Sequence, residues 1–197
     1  MSVSTAAGVS QTKGELGVML EELAAISREA REVFGGLSAA QLNWKPSEQQ
    51  WSVGQCFDHL IVTNSSFFSG MERVAAGTFK SSLWGRVSPL SGLFGRFILK
   101  ALDPEQGRKT RAPRVFEPTQ SDVAADVMQK FAVHQEELLA HMRATASADL
   151  RGLKVTSPVS PVATYSLLDA YRIVVAHERK HFEQARRVTR MQGFPAA

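Results

Sequence analysis

Eight prolines divide the chain, and their spacing is the strongest constraint on its fold. A proline inside a helix removes a backbone hydrogen bond and clashes with the preceding turn, so helices are expected between prolines. The prolines stand at positions 46, 89, 104, 113, 118, 158, 161 and 195. Four stretches between them are long enough for substantial helices, and these cover roughly residues 12–35, 52–78, 119–146 and 164–192.

Each of these stretches begins with a residue that can cap a helix. An oxygen-bearing side chain there accepts hydrogen bonds from free backbone N–H groups, and an acid or amide three residues later completes the pattern. The pairs are Thr12 with Glu15, Ser52 with Gln55, Thr119 with Asp122 and Ser166 with Asp169, with Thr164 as an alternative cap in the fourth stretch. The first stretch ends at glycines 35 and 36, and the last ends at Gly193.

Apolar residues recur at helical spacing within all four stretches, and none shows sustained strand alternation. Four apolar stripes need one another for burial, which predicts an all-α four-helix bundle. About 40 residues, roughly 79–118, join the second and third stretches. A link of that length predicts a crossover that leaves helices two and three parallel. Residues 90–102 within it are predicted to form a short helix on the bundle, rather than one that touches a membrane surface.

Composition limits the classes of protein to which the chain can belong. Its 197 residues are 44% apolar and 21% charged, which fits one soluble globular domain spanning residues 1–197. Cys56 is the single cysteine, which excludes a disulfide framework. The longest unbroken apolar run is four residues, for example Ile173–Ala176, so no membrane span is expected. These features together predict a cytoplasmic protein.

The positive net charge of the chain belongs to the predicted crossover. The whole chain carries +4, residues 80–114 carry +6, and the remainder carries −2. A basic protein suggests nucleic acid as a partner, but no zinc-finger, RNP or Walker-type motif accompanies this segment. A solvated basic loop is the favoured interpretation, and no specific nucleic-acid partner is predicted.

The placement of the histidines is the most informative feature for function. His177 and His181 are four residues apart, so both project from the face of a helix that also carries Val174 and Val188. Two imidazoles on successive turns of a buried stripe can bind one metal ion. His59, in the second stretch, can project from a facing helix as a third ligand. Three histidines with an open coordination position are typical of a catalytic metal site, and three separate histidines are the alternative.

The segment from His177 to His181 reads HERKH, which also fits the HExxH pattern of zinc peptidases. Those enzymes need a further ligand downstream, and no histidine, aspartate or cysteine follows His181, so this interpretation is not favoured. Glu178 is then either a partner close to the metal ligands or a surface acid. Gln184 is placed to orient a ligand imidazole.

Three other residues are weaker candidates for the site. His134 is expected on the buried face of the third helix, as a fourth ligand, a proton shuttle or, preferably, a hydrogen-bonded core histidine. His141 lies near the end of that helix, where a positive side chain suits the helix dipole, and it is assigned no chemistry. Cys56 could be a ligand, although a small buried apolar residue is favoured.

Short motifs in two parts of the chain resemble one known family. The first part reads LNWKP over 42–46, WSVGQ over 51–55 and DHL over 58–60, and the second reads HERKH followed by QARR over 184–187. Their order across nearly the whole chain resembles the DinB/YfiT-like family of bacterial metalloenzymes. The APRVF segment at 112–116 is similar to the family's lead-in to the third helix.

The resemblance implies a four-helix bundle with up-down-down-up topology. It implies a divalent metal ion, nickel or zinc, held by the residues numbered here His59, His177 and His181. Homodimers are common in the family. Some members are thiol-dependent transferases or isomerases, and many are associated with DNA damage or stress and have no assigned activity.

A metal ion on three histidines leaves room for a water or a thiol and lowers the pKa of either, which makes it a nucleophile near neutral pH. Two enzyme hypotheses for a small-molecule substrate follow: transfer of a low-molecular-weight thiol, which the resemblance favours, and hydrolysis. A non-enzymatic metal-binding stress protein is the third hypothesis. Arg179, Lys180, Arg186 and Arg187 could bind an acidic thiol cofactor, although a solvated charged helix face is favoured.

Overall fold

The described part of the chain is mostly helical, with one small sheet. The computed structural model describes residues 3–83, 85, 91–102, 122–158 and 160–196. The elements are α1 (Val3–Phe34), α2 (Ala39–Asn43), α3 (Val53–Ala75), α4 (Ser91–Leu102), α5 (Val127–Ala144), β1 (Lys154–Ser157), β2 (Ser160–Ser166) and α6 (Leu167–Val188). The four long helices match the four proline-free stretches.

The long helices bury their apolar stripes against one another. Helix α1 contacts α5 and α6, and α3 contacts the same two helices. The buried apolar side chains form two clusters. The first cluster includes Leu16, Leu23, Met71, Leu138 and Val175. The second cluster includes Ile26, Leu60, Phe131, Phe182 and Val188.

A layer of buried polar side chains lies between these two clusters along the chain. On α3, Asn64 comes between Leu60 of the second cluster and Met71 of the first. His134 and Gln135 come between Phe131 and Leu138 on α5, and Glu178 and His181 come between Val175 and Phe182 on α6. On α3, α5 and α6, the buried side chains are therefore apolar, then polar, then apolar again, and the polar ones lie between the same two clusters.

The beginning of α3 is as the sequence predicts. Ser52 caps the helix: its hydroxyl accepts the N–H of Gln55 at 3.2 Å, and the Gln55 side chain accepts the N–H of Ser52 at 3.2 Å. A Cβ on Gly54 would lie 3.0 Å from the carbonyl oxygen of Leu42 and 3.3 Å from Val123, so a larger residue there would have to displace these neighbours. The end of α3 is set by Gly77, whose φ of +68° favours glycine.

Two of the predicted helix starts are wrong. Helix α1 begins at Val3, and Thr12 lies inside it, where the Thr12 hydroxyl accepts a hydrogen bond from Arg151 instead of capping. Helix α5 begins at Val127 rather than near 119. Asn43 holds the backbone N–H and carbonyl of Val123 at 2.7 and 2.9 Å, which keeps that segment out of a helix. The proposed Thr119 cap lies outside the described residues.

No strand is expected from the sequence pattern, and the structure adds one small two-stranded sheet to the predicted helices. Strands β1 and β2 pair antiparallel just before α6. Helix α4 packs against β2, and Thr164 and Ser166 are buried together with Ala163 and Tyr165. The strand therefore lacks the alternation of apolar and polar residues that would have revealed it. Of the two predicted caps for α6, Ser166 is confirmed, because its hydroxyl accepts the N–H of Asp169 at 3.0 Å, and Thr164 belongs to the strand.

The short helix predicted within the crossover is confirmed as α4, which packs on α6 and β2. Most of the basic segment and the APRVF motif fall outside the described residues. Within those residues, no helix combines the length and apolarity needed to cross a membrane.

The buried cap of α3 gives a stability prediction. Ser52→Ala should lower the free energy of unfolding by about 1 kcal/mol, because it leaves the N–H of Gln55 without its acceptor. Urea unfolding followed by circular dichroism measures the change. Ser66→Ala is the control, because that exposed hydroxyl bonds only the carbonyl of Thr63 within the same helix, and it should change stability by less than about 0.5 kcal/mol. Equal stability of Ser52→Ala and the wild-type protein would contradict the cap.

Candidate metal centre

Helices α3 and α6 bring three histidines together. His59 lies two turns after the Ser52 cap, on the side of α3 that meets α6. His177 and His181 lie one turn apart on α6, and both rings contact the ring of His59. His59 and His181 are buried and His177 is half-buried. The three residues singled out by sequence spacing therefore form one cluster.

The ligand atoms of this cluster converge. One ring nitrogen from each of His59, His177 and His181 lies within 4.8 Å of those of the others. The Nε2 atoms of His59 and His177 are 3.1 Å apart. The ring centroids are separated by 5.0 Å for His59 and His177, and by 4.6 Å for His181 with either of the other two. Within the described residues, no carboxylate or thiolate sulfur joins this group.

Two of the three imidazoles are held in their uncharged form. Burial, together with smaller contributions from the nearby charges of His59 and Lys180, lowers the pKa of His177 to about 3. Burial also lowers the pKa of His181 well below its usual value, with contributions from His177, His59 and Lys180, while Gln184 partly opposes the shift. Neutral imidazoles are the form that binds metal ions, so the site needs no deprotonation near neutral pH.

The donor set fits a divalent transition metal. Zinc–nitrogen bonds of 2.0–2.1 Å at tetrahedral angles require nitrogen–nitrogen separations of about 3.3 Å, which small rotations of these rings would reach. Imidazole nitrogen suits zinc, nickel and copper ions better than calcium or magnesium. Among the described residues, the Nδ1 atom of His181 is buried and has no hydrogen-bond partner. Three histidines also leave a coordination position for a further ligand.

One residue at the site was not assigned a role from the sequence. Trp51 directly precedes the cap of α3, and its ring stacks on that of His181 at a centroid distance of 5.5 Å and an interplanar angle of 17°. The same indole ring lies 4.8 Å from the ring of His59. Its place immediately before a capping box that leads to His59 is the sequence signal that could have revealed it.

Glu178 is not a surface acid, because its side chain is completely buried. Its Oε1 accepts a hydrogen bond of 2.7 Å from the amide of Asn64. Burial raises the pKa of Glu178 to about 8, while the nearby amide of Gln135, the hydrogen bond from Asn64 and the charge of Arg179 act against that shift. The carboxyl group is therefore mostly uncharged near neutral pH and is turned toward the polar layer. It is not placed as the base of an HExxH peptidase would be.

The other histidines lie away from the cluster. His134 is 4% exposed and stacks on Phe68 at 5.0 Å, and its Nε2 has no partner among the described residues. It lines a cavity of about 620 Å³ between α3 and α5, together with Asp58. His141 lies 3.9 Å from Glu72. Neither histidine joins the cluster, and Cys56 is a buried free thiol outside it.

Of the four basic residues considered for an acidic cofactor, two are engaged in ion pairs. Arg179 pairs with Glu29 of α1 at 2.9 Å, and Arg186 pairs with Glu183 at 3.3 Å. Lys180 is half-buried beside the histidines, and its amine donates a 3.3 Å hydrogen bond to the carbonyl of Ala101 at the end of α4. Arg187 is exposed.

Comparison with known proteins agrees with this arrangement. A family model for the DinB superfamily matches residues 22–185, a span that contains all three clustered histidines. The chain belongs to the DinB superfamily. No significant match was found among curated proteins or among solved structures.

Burial of His134 gives a prediction about pH. Burial, followed by the charge of His141, lowers the pKa of His134 to about 4 from 6.5. Between those values the unfolded chain binds the proton and the folded chain does not, so stability is present above pH 6.5 and is lost as pH falls toward 4. At pH 5, His134 alone should account for a loss on the order of 2 kcal/mol.

Urea unfolding of the metal-free protein at pH 7.5 and pH 5.0 measures this loss. His134→Phe keeps an aromatic ring against Phe68 and should lose about 2 kcal/mol less stability between the two pH values than the wild-type protein. His141→Gln is the comparison, because its ring is less buried. An identical loss in the wild-type protein and His134→Phe would contradict the prediction.

Proposed function

We propose that this chain is a divalent-metal-dependent enzyme of the DinB type, with nickel or zinc held by His59, His177 and His181. The observation that carries the proposal is the convergence of three imidazoles between α3 and α6, of which His177 and His181 have strongly lowered pKa values. Three protein ligands with a further position open are typical of catalytic rather than structural sites.

A bound divalent ion supplies Lewis acidity that lowers the pKa of a thiol or a water. The chain itself supplies the three imidazoles, the indole ring of Trp51 beside two of them, and the positive charge of Lys180 near the cluster. That charge favours an anionic ligand at the site, and exposed Arg187 adds to it.

Thiol transfer is the proposed reaction, with an electrophilic small molecule as the substrate. The preference for thiol transfer rests on the resemblance to the DinB/YfiT-like family. The hydrolytic alternative stays open, because a divalent ion on three histidines would also lower the pKa of a bound water to near neutral pH. The third possibility, a metal-binding stress protein without activity, would be favoured by a further protein ligand that closes the site.

The direction of the long helices supports the up-down-down-up topology that we propose. Helices α1 and α6 run from the first apolar cluster to the second as residue number increases, and α3 and α5 run from the second to the first. A single domain over 1–197, a homodimer, a cytoplasmic location and a role in stress remain proposals that rest on the resemblance and the composition.

The first test is the metal content of protein purified without an affinity tag. About one divalent ion per chain is expected by elemental analysis, and the double variant His177→Ala/His181→Ala should lose nearly all of it while it keeps its helical circular dichroism signal. His141→Ala is the matched control, because that ring lies outside the cluster, and it should keep full metal content. Full retention of metal in the double variant would overturn the assignment.

The second test separates metal binding from folding. Two apolar clusters hold the helices without the ion, so the metal-free protein should stay folded and have a lower Tm. Added metal should raise the Tm. The free energy of unfolding should increase with the logarithm of the metal concentration, by about 2.7 kcal/mol at a concentration of a hundred times Kd. Complete unfolding on chelation at room temperature would instead indicate a structural ion.

The reaction itself is tested by a screen of low-molecular-weight thiols with electrophilic substrates. The metal-loaded protein should accelerate thiol addition, and the His177→Ala/His181→Ala variant should not. Hydrolysis of ester or amide substrates without any thiol would favour the alternative reaction.

A further inference from the structure

We propose that Trp51 is a positioning residue for the three-histidine site, a role that rests on the proposed metal binding. Its indole ring holds the imidazole of His181, and to a lesser extent that of His59, in the orientation that makes the ligand nitrogens converge.

The geometry of the ring contacts supports this role. The indole plane lies within 17° of the imidazole plane of His181 at 5.5 Å, whereas it meets His59 at 57° and 4.8 Å. Stacked and tilted aromatic contacts of this kind are favourable beyond the apolar area that they bury. Rotation of the His181 ring about its side chain would break the stack, so the contact restrains that rotation.

His181 is in particular need of such a restraint. A metal-binding histidine is usually oriented by a hydrogen bond from its other ring nitrogen to a carboxylate or a backbone carbonyl. The buried Nδ1 of His181 has no hydrogen-bond partner in the described residues, because the carboxylate of Glu183 pairs with Arg186 and the carboxyl group of Glu178 is bonded to Asn64. Besides the hydrogen bond with Gln184, aromatic contacts restrain this ring.

Trp51 can hold the ring because its own backbone is fixed. It stands immediately before Ser52, whose capping box with Gln55 sets the direction in which the chain enters α3. Trp51 is partly buried and packs against the second apolar cluster, which includes Phe57 and Phe182. The indole ring thus links the start of α3 to the ligand residues of α6.

The chain offers a matched control in a second stack. Phe68 lies over His134 at the same interplanar angle, 17°, and at 5.0 Å, outside the metal cluster. Phe68→Leu removes a stack of the same kind from a histidine that is not a ligand. Trp51→Leu and Trp51→Phe remove or reduce the stack on His181.

The experiment measures Co²⁺ binding by equilibrium dialysis, the absorption spectrum of bound Co²⁺, and the imidazole proton resonances of the metal-free proteins by NMR. Trp51→Leu should bind Co²⁺ about tenfold more weakly, in line with the loss of other groups that orient metal ligands, and should change the Co²⁺ spectrum. Trp51→Phe should recover most of the affinity. Both should move the His181 and His59 resonances, because the ring current of the indole is lost, whereas Phe68→Leu should move those of His134 and His141 instead and keep Co²⁺ affinity within about twofold.

Quenching of tryptophan fluorescence by Co²⁺ tests the proposal even if Trp51→Leu does not fold. Co²⁺ should quench tryptophan emission in the wild-type protein and in Trp44→Phe, whose ring contacts Phe194 instead of the histidines, and it should quench much less in Trp51→Phe. Unchanged quenching in Trp51→Phe, or wild-type affinity and spectrum in a folded Trp51→Leu, would overturn the inference alone. Absence of Co²⁺, Ni²⁺ and Zn²⁺ binding in the wild-type protein would overturn the proposed function and the inference with it.

Discussion

The histidines between α3 and α6 must stay uncharged for the helical core to close around them, and much of the interior is arranged accordingly. Three imidazole rings lie within 5.0 Å of one another, and protonation of more than one would place like charges in a region of low dielectric. The polar side chains that continue the layer, Asn64 and Gln135, are amides without charge. Glu178 completes the layer, and burial raises its pKa to about 8, so it too is mostly neutral.

This neutrality lets the polar layer lie between two apolar clusters. A charged layer would need paired counterions or water, whereas neutral groups need only hydrogen bonds. The bond from Asn64 to Glu178 joins α3 to α6 at the level of the site. The acid next to His177 in the HERKH segment therefore contributes to the core that positions the ligands, and its neighbour Arg179 points outward to Glu29.

The sequence predicted the parts of the structure that depend on local pattern. Proline spacing predicted the long helices, the capping pattern predicted the start of α3, and the i, i+4 spacing predicted that His177 and His181 share a face. The sequence did not predict the parts of the structure that depend on contacts between residues far apart in the chain. The segment before α5 is held out of a helix by Asn43, which lies 80 residues away along the chain. Strand β2 is covered by α4, so it lacks the alternation of apolar and polar residues that would have predicted it. Glu178 could not be assigned because its partner, Asn64, lies on another helix.

Two kinds of contact position α6 and the metal ligands that it carries: partly exposed ion pairs and buried apolar side chains. Arg172 and Arg179 pair with acids of α1, and such partly exposed pairs contribute little to stability, on the order of 0–1 kcal/mol each. Phe182 and Ala185 are buried in the second apolar cluster, and their burial fixes the rotation of the helix far more strongly. Because His181 directly precedes Phe182, the same burial that holds the helix also sets how closely its imidazole approaches His59. The spacing of the three nitrogens is thus decided by core packing on α6, with the indole ring of Trp51 fixing the remaining freedom of the His181 ring.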